Sequence, residues 1–230
     1  MNRSNDILER HRSDNSIKDA YSRVAWFYNL WSSLTESRAA RKVIELAAIS
    51  DGEQILEVAV GTGLVFADIV RHNPNGFSMG IDLSPSMLSR AQRFLRHQPP
   101  QRYRLQIGSA YQIPCESNTV DLLINNFMMD LLPEEDFPAI LSEYNRVLKP
   151  NGRIVVSTMT FGKNWYNAIW DFIASRLPSL LTGCRPVSIA PFLTTAGFGS
   201  IEVFYISQIT FPSEVIRAGK RAPQLTLTKV

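Results

Sequence analysis

Residues 54–63, Gln-Ile-Leu-Glu-Val-Ala-Val-Gly-Thr-Gly, carry an apolar run with one acid into a Gly-x-Gly turn. Ile55, Leu56, Val58 and Val60 are β-formers, and a near-continuous apolar run of this length suits a strand covered on both faces of a parallel sheet. The chain must then turn sharply. Gly61 and Gly63 permit positive φ and close approach of a ligand to bare backbone. Residues 64–71 continue with helical spacing, so unpaired amides at the start of that helix face the turn. A second strand, 76–82, ends in Asp82, 19 residues after Gly63, about where a β-α-β unit places a carboxylate on ribose hydroxyls. The pattern predicts a nucleoside cradle. A nicotinamide dinucleotide wants a third small residue where this chain has Phe66, and Glu57 would repel its pyrophosphate. An acid beside the glycines suits a cationic α-amino group instead.

Five segments in fixed order, 55–63, 80–88, 108–114, 120–126 and 143–152, resemble the class I S-adenosylmethionine-dependent methyltransferases, near the ubiquinone/menaquinone-biosynthesis group. The resemblance spans roughly residues 20–217 and departs at Ala59, usually Gly in the family, and at Ser109, usually Asp. It implies an α/β fold, Rossmann-like, with a seven-stranded mostly parallel sheet, a C-terminal antiparallel hairpin and helices on both faces. It also implies S-adenosyl-L-methionine as cofactor. Carried onto this sequence, the cofactor contacts fall on Tyr21, Tyr28, Glu57, Ala59, Val60, Gly61, Thr62, Gly63, Asp82, Leu83, Met87, Ser109, Ala110, Asn125, Asn126 and Phe127. Tyr21, Ala25 and Tyr28 match an N-terminal Tyr-x-x-x-Ala-x-x-Tyr segment that folds over the cofactor in that family. Ser109 weakens the expected adenine contact, although its hydroxyl could accept from the adenine amine; a plain turn serine fits nearly as well.

At 230 residues, 45% hydrophobic and 20% charged, the chain can bury one good core, and no composition break divides it. We expect a loose arm over 1–18 and a single domain over 19–230, with a helical cap at 19–50 and a lid insertion at 160–190. A net charge of +3 without a long Lys/Arg cluster argues against nucleic acid as partner. The polar N-terminus and the lack of an apolar run of about 18 residues argue for a cytoplasmic protein without a spanning segment. Cys115 and Cys184 lack metal-ligand spacing and read as reduced thiols, and no His/Cys/carboxylate cluster offers a metal site.

The segment 165–177 reads as an aromatic amphipathic helix where related enzymes build acceptor lids, with peripheral membrane contact as its rival use. Trp31, Met128, Trp165 and Trp170 are the candidate walls of a pocket for a small, largely apolar, ring-containing acceptor. His11, His72 and His97 lie away from the strand tips, so a general base, where needed, falls to Asp130 or Tyr28. Methyl transfer to carbon, oxygen or nitrogen leads. A nicotinamide-dependent oxidoreductase and a catalytically silent nucleoside-binding partner protein remain the alternatives.

Overall fold

The computed structural model describes residues 37–163 and 184–221. The elements run α1 (Ser37–Ala47), β1 (Gln54–Val58), α2 (Leu64–His72), β2 (Phe77–Asp82), α3 (Pro85–Phe94), β3 (Tyr103–Ile107) and β4 (Val120–Asn126). They continue with α4 (Phe137–Val147), β5 (Leu148–Met159), α5 (Ala190–Thr195), β6 (Phe198–Gln208) and β7 (Phe211–Lys220). The sheet order is β3-β2-β1-β4-β5-β7-β6. The first five strands pair in parallel, while β7 runs antiparallel to both β5 and β6. This is the α/β architecture read from the sequence. Strand order reverses between β1 and β4, and the crevice beyond their carboxyl ends is where open α/β sheets take ligands.

Burial follows from two-sided cover. Ile55, Leu56 and Val58 of β1 are each at most 2% exposed, as a strand between helical layers requires. Val43 of α1, Phe66 and Ile69 of α2 and Ala91 of α3 join the core on one face. Phe137, Ile140, Leu141 and Tyr144 of α4 and Leu193 of α5 join it on the other. The start of α3 is set by its own residues: Ser84 accepts from the Met87 amide and Pro85 occupies the first turn, where a missing N–H costs nothing.

Residues 149–152, Lys-Pro-Asn-Gly, lie inside β5. The pairing jumps from Val120↔Leu148 to Leu122↔Arg153, so the Pro-Asn-Gly signal produces a register irregularity at the strand start rather than a break. The 1–18 arm, most of the 19–50 cap and residues 164–183 of the expected lid lie outside the described residues, and with them Tyr21, Ala25, Tyr28, Trp31, Trp165 and Trp170.

Candidate active site

The glycine turn closes β1 onto α2 with Ala59, Gly61 and Gly63 all at positive φ (61°, 54° and 86°). The two glycines do different things. A Cβ on Gly61 would meet nothing within 4 Å, so its bare backbone faces open space. A Cβ on Gly63 would lie 2.8 Å from the Cα and Cβ of Ala91, so this glycine lets α2 approach α3. Gly63, expected to touch the cofactor, lines neither hollow at the turn and packs closely on Ala91. The side chain that replaces the third small residue, Phe66, is fully buried edge-on to Tyr103, and its ring reaches over Gly80 of β2.

Asp82, at the end of β2, is the anchor of the site. Its Oδ2 accepts from the Gly61 N–H and its Oδ1 from the Ser84 N–H, both at 2.8 Å. Burial raises its pKa, with these two amides opposing the rise. Glu57, one strand away, is 2% exposed, and its Oε2 has no hydrogen-bond partner. Burial first, and the nearby Asp82 charge second, push the Glu57 carboxyl well above the usual carboxylate range. A buried, unpartnered carboxylate oxygen beside a glycine turn is costly unless a donor or cation reaches it.

Two hollows meet at the turn. One is lined by Asp82, Leu83, Met87, Ser109, Ala110 and Met128. The other is lined by Glu57, Val60, Thr62, Arg41, Leu64 and Phe94. Ala59, Gly61 and Asn126 face both, which places the two carboxylates on opposite sides of one bare-backbone corner. Phe127 also borders the first hollow, with φ 49°, its amide donating to the Ser157 carbonyl at 2.9 Å. A bulky residue held in the left-handed region is strained, and here the strain turns the chain out of β4 along the hollow.

Other predicted contacts sit elsewhere. Asn125 is fully buried, its Nδ2 donating to the Val58 carbonyl at 2.9 Å, and faces neither hollow. It ties β4 to the end of β1, where it pairs with Val58. Asn126, the next residue, reaches the site while receiving the Ser157 hydroxyl on its Oδ1. Ser109 borders the first hollow, but its Oγ accepts from the Tyr111 N–H at 3.3 Å, a turn bond within its own loop. That loop is held to α4: the Ile113 N–H donates to Glu143 at 2.7 Å, and Arg146 donates to the Ile113 and Cys115 carbonyls.

Asp130, expected as a base, is fully buried and lines neither hollow. Its Oδ2 accepts from the Met159 N–H at 3.1 Å and its backbone carbonyl from the Arg185 N–H at 3.1 Å. Burial raises its pKa to about 7, against the pull of the Met159 amide, the Cys184 thiol and the Arg185 charge. These contacts make Asp130 a fastener between the post-β4 loop, β5 and the segment at 184–187. Sequence reading missed Ser84, Leu131 and Leu132 at the first hollow. The Asp-x-Ser spacing of 82–84, an Asx-type turn, was the available signal for Ser84.

Among the described residues no group of three or more His, Cys, Asp or Glu is placed to hold a metal ion, and no helix is long and apolar enough to cross a membrane. A family model described as "Methyltransferase domain" matches residues 55–152. The chain is 26% identical over 163 residues to an arsenite methyltransferase of Halobacterium salinarum, covering 68% of this chain and 40% of that one. To a demethylmenaquinone methyltransferase of Symbiobacterium thermophilum it is 29% identical over 145 residues, covering 60% and 57%. The chain thus spans about half the length of these two relatives. To a ubiquinone/menaquinone biosynthesis C-methyltransferase of Geobacter sulfurreducens it is 26% identical over 205 residues, covering 86% and 75%. Among solved structures, a Haloferax volcanii methyltransferase in complex with the Trm112 activator superposes with TM-score 0.71 at 16% identity, covering 89% of this chain and 97% of that one. The chain thus carries a match to a methyltransferase domain over residues 55–152 and shares the fold of solved methyltransferases.

Proposed function

We propose that the protein transfers a methyl group from S-adenosylmethionine to a small, largely apolar, ring-containing acceptor. The observation that carries this reading is the pair of carboxylates flanking one open glycine corner: Asp82 with two amides fixing it, and Glu57 with an unpartnered oxygen. A cofactor with ribose hydroxyls at one end and an α-amino group at the other suits that pair. Asp82 keeps lone pairs for the hydroxyls, since each of its oxygens takes only one backbone amide. Glu57 would receive the cationic amine, and Gly61 would let the backbone approach the ligand. When bound, the cofactor supplies an electrophilic methyl on a sulfonium.

The chain's own contribution is then alignment and exclusion of water. Phe127, Met128, Leu131 and Leu132 give the first hollow an apolar wall, and Met87 closes it from α3. Thioether and ring surface of this kind accepts an apolar ring at about 25 cal/mol per Å² buried. Methyl transfer from a sulfonium is downhill, so holding the nucleophile in line within a water-poor pocket supplies most of what catalysis needs. Asp130, the expected base, lies off both hollows with its Oδ2 on the Met159 amide. The aromatic walls expected from Tyr28, Trp31, Trp165 and Trp170 belong to this proposal, as does the lid they would form.

Some relatives bear names of quinone methyltransferases, which agrees with an apolar ring as acceptor; others are named for arsenite or malonyl-carrier-protein methylation. Incubation with methyl-labelled S-adenosylmethionine and a metabolite extract of the host tests the reading. We expect label in an organic-extractable, ring-containing product. Label confined to protein, nucleic acid or inorganic species would overturn the acceptor class.

A further inference from the structure

Between Asp82 and Glu116 the chain has no acidic residue, yet it carries Arg90, Arg93, Arg96, Arg102, Arg104 and His97. Without those five arginines the net charge of +3 would be −2, so the basic character of the molecule is concentrated along α3 and β3. β3 is the edge strand of the sheet, which puts this charge at one end of the molecule. Arg90, Arg93, Phe94, Arg96 and His97 line one shallow groove on the outer side of α3. Among the described residues none of these three arginines forms an ion pair; Arg93 donates to the Ser89 carbonyl and Arg96 to His97. Complementing the helix dipole accounts for a base in the last turn. It accounts neither for Arg90 and Arg96 nor for an aromatic side chain left 54% exposed among them.

Phe94 also lines the hollow that holds Glu57, beside Leu64, which is 43% exposed, and Arg41. The basic groove and the mouth of that hollow therefore share a side chain, and their common rim is apolar. We propose that this face docks on an anionic phospholipid surface, Arg90, Arg93 and Arg96 taking the headgroup phosphates while Phe94 and Leu64 enter the interface. Cationic side chains around an exposed ring and a leucine match a surface that is anionic outside and apolar just beneath. The charge run is too short to track a nucleic-acid backbone, and an acidic protein would leave Phe94 and Leu64 against polar surface. Docking in this orientation brings the mouth of the Glu57 hollow to the bilayer surface.

The test uses the full chain and two vesicle preparations, phosphatidylcholine alone and phosphatidylcholine with phosphatidylglycerol, sedimented at physiological ionic strength. We expect binding to the phosphatidylglycerol vesicles only, weakened by added salt. Each base near an anionic surface contributes about fivefold, so Arg90→Gln/Arg93→Gln/Arg96→Gln should lower partitioning on the order of 100-fold. The melting temperature and affinity for S-adenosylmethionine should be unchanged in that variant, since none of the three side chains lines the cofactor corner. Phe94→Ser should weaken partitioning several-fold with all charges kept, and it decides the matter if the triple variant does not fold. Equal binding to both vesicles, no binding to either, or wild-type binding by the variants would overturn the proposal. So would tight capture of a single-stranded oligonucleotide or an acidic protein in place of vesicles. Because sedimentation needs no methyl transfer, its outcome is independent of the catalytic reading.

Discussion

Asp82 and Glu57 are both buried acids at one turn, and their surroundings give them opposite accounts of stability and binding. Asp82 is bonded to two amides that also shape the turn, so Asp82→Ala should weaken S-adenosylmethionine by about 1 to 3 kcal/mol in calorimetry. Unchanged affinity in a folded variant would remove it from the site. Glu57 has an oxygen with no partner, and its folded pKa lies above the unfolded one. Its contribution is thus full below the ordinary carboxylate pKa and lost as pH rises toward the folded value. At neutral pH Glu57→Gln should therefore raise the melting temperature of the ligand-free protein while lowering S-adenosylmethionine affinity. A variant that melts lower and binds as wild type would contradict both roles. The sequence displayed these acids plainly, because each is set by the end of a strand and the spacing of a β-α-β unit. It could not display the bonds from Asn125 to the Val58 carbonyl and from the Tyr111 amide to Ser109, which are decided by contacts of the folded chain. Ala59 shows why the family places Gly there: its φ of 61° carries a cost for any Cβ, about 1 kcal/mol.

Among the elements, the turn between β1 and α2 separates packing from binding within three residues. Gly63→Ala would drive a methyl into Ala91 at 2.8 Å in a left-handed conformation, and should cost about 1 to 3 kcal/mol of stability by chemical unfolding. Gly61→Ala meets open space, so its stability cost should be limited to the backbone term of about 1 kcal/mol, with the larger loss in cofactor affinity. Equal stability losses would show that both glycines serve packing. Asp130 fastens the loop after β4 to β5 and to the segment at 184–187, a junction between residues roughly 30 and 55 positions apart that no local pattern could reveal. With its pKa raised to about 7, its stabilisation is complete below the ordinary carboxylate range and disappears as pH rises to about 7. Asp130→Asn should flatten the fall in melting temperature between pH 5 and pH 8. An unaltered slope would place the titrating group elsewhere.

At the scale of the whole molecule, a parallel sheet with a switch point between β1 and β4 leaves one crevice for a nucleoside, and the chain fills it with acids rather than phosphate binders. β1 and β4 were legible as buried apolar runs, while the seven-stranded sheet and its antiparallel ending followed from the family resemblance. Phe66 over Gly80 closes the space that a pyrophosphate-binding helix would need, a large-for-small exchange between α2 and β2. On the proposed reading, selection of the cofactor rests on this packing as well as on Glu57. A calorimetric titration with S-adenosylhomocysteine, repeated in excess NADH, tests this directly. The predicted result is one-to-one binding of S-adenosylhomocysteine that NADH leaves unchanged; absence of that binding, or its displacement by NADH, would contradict it.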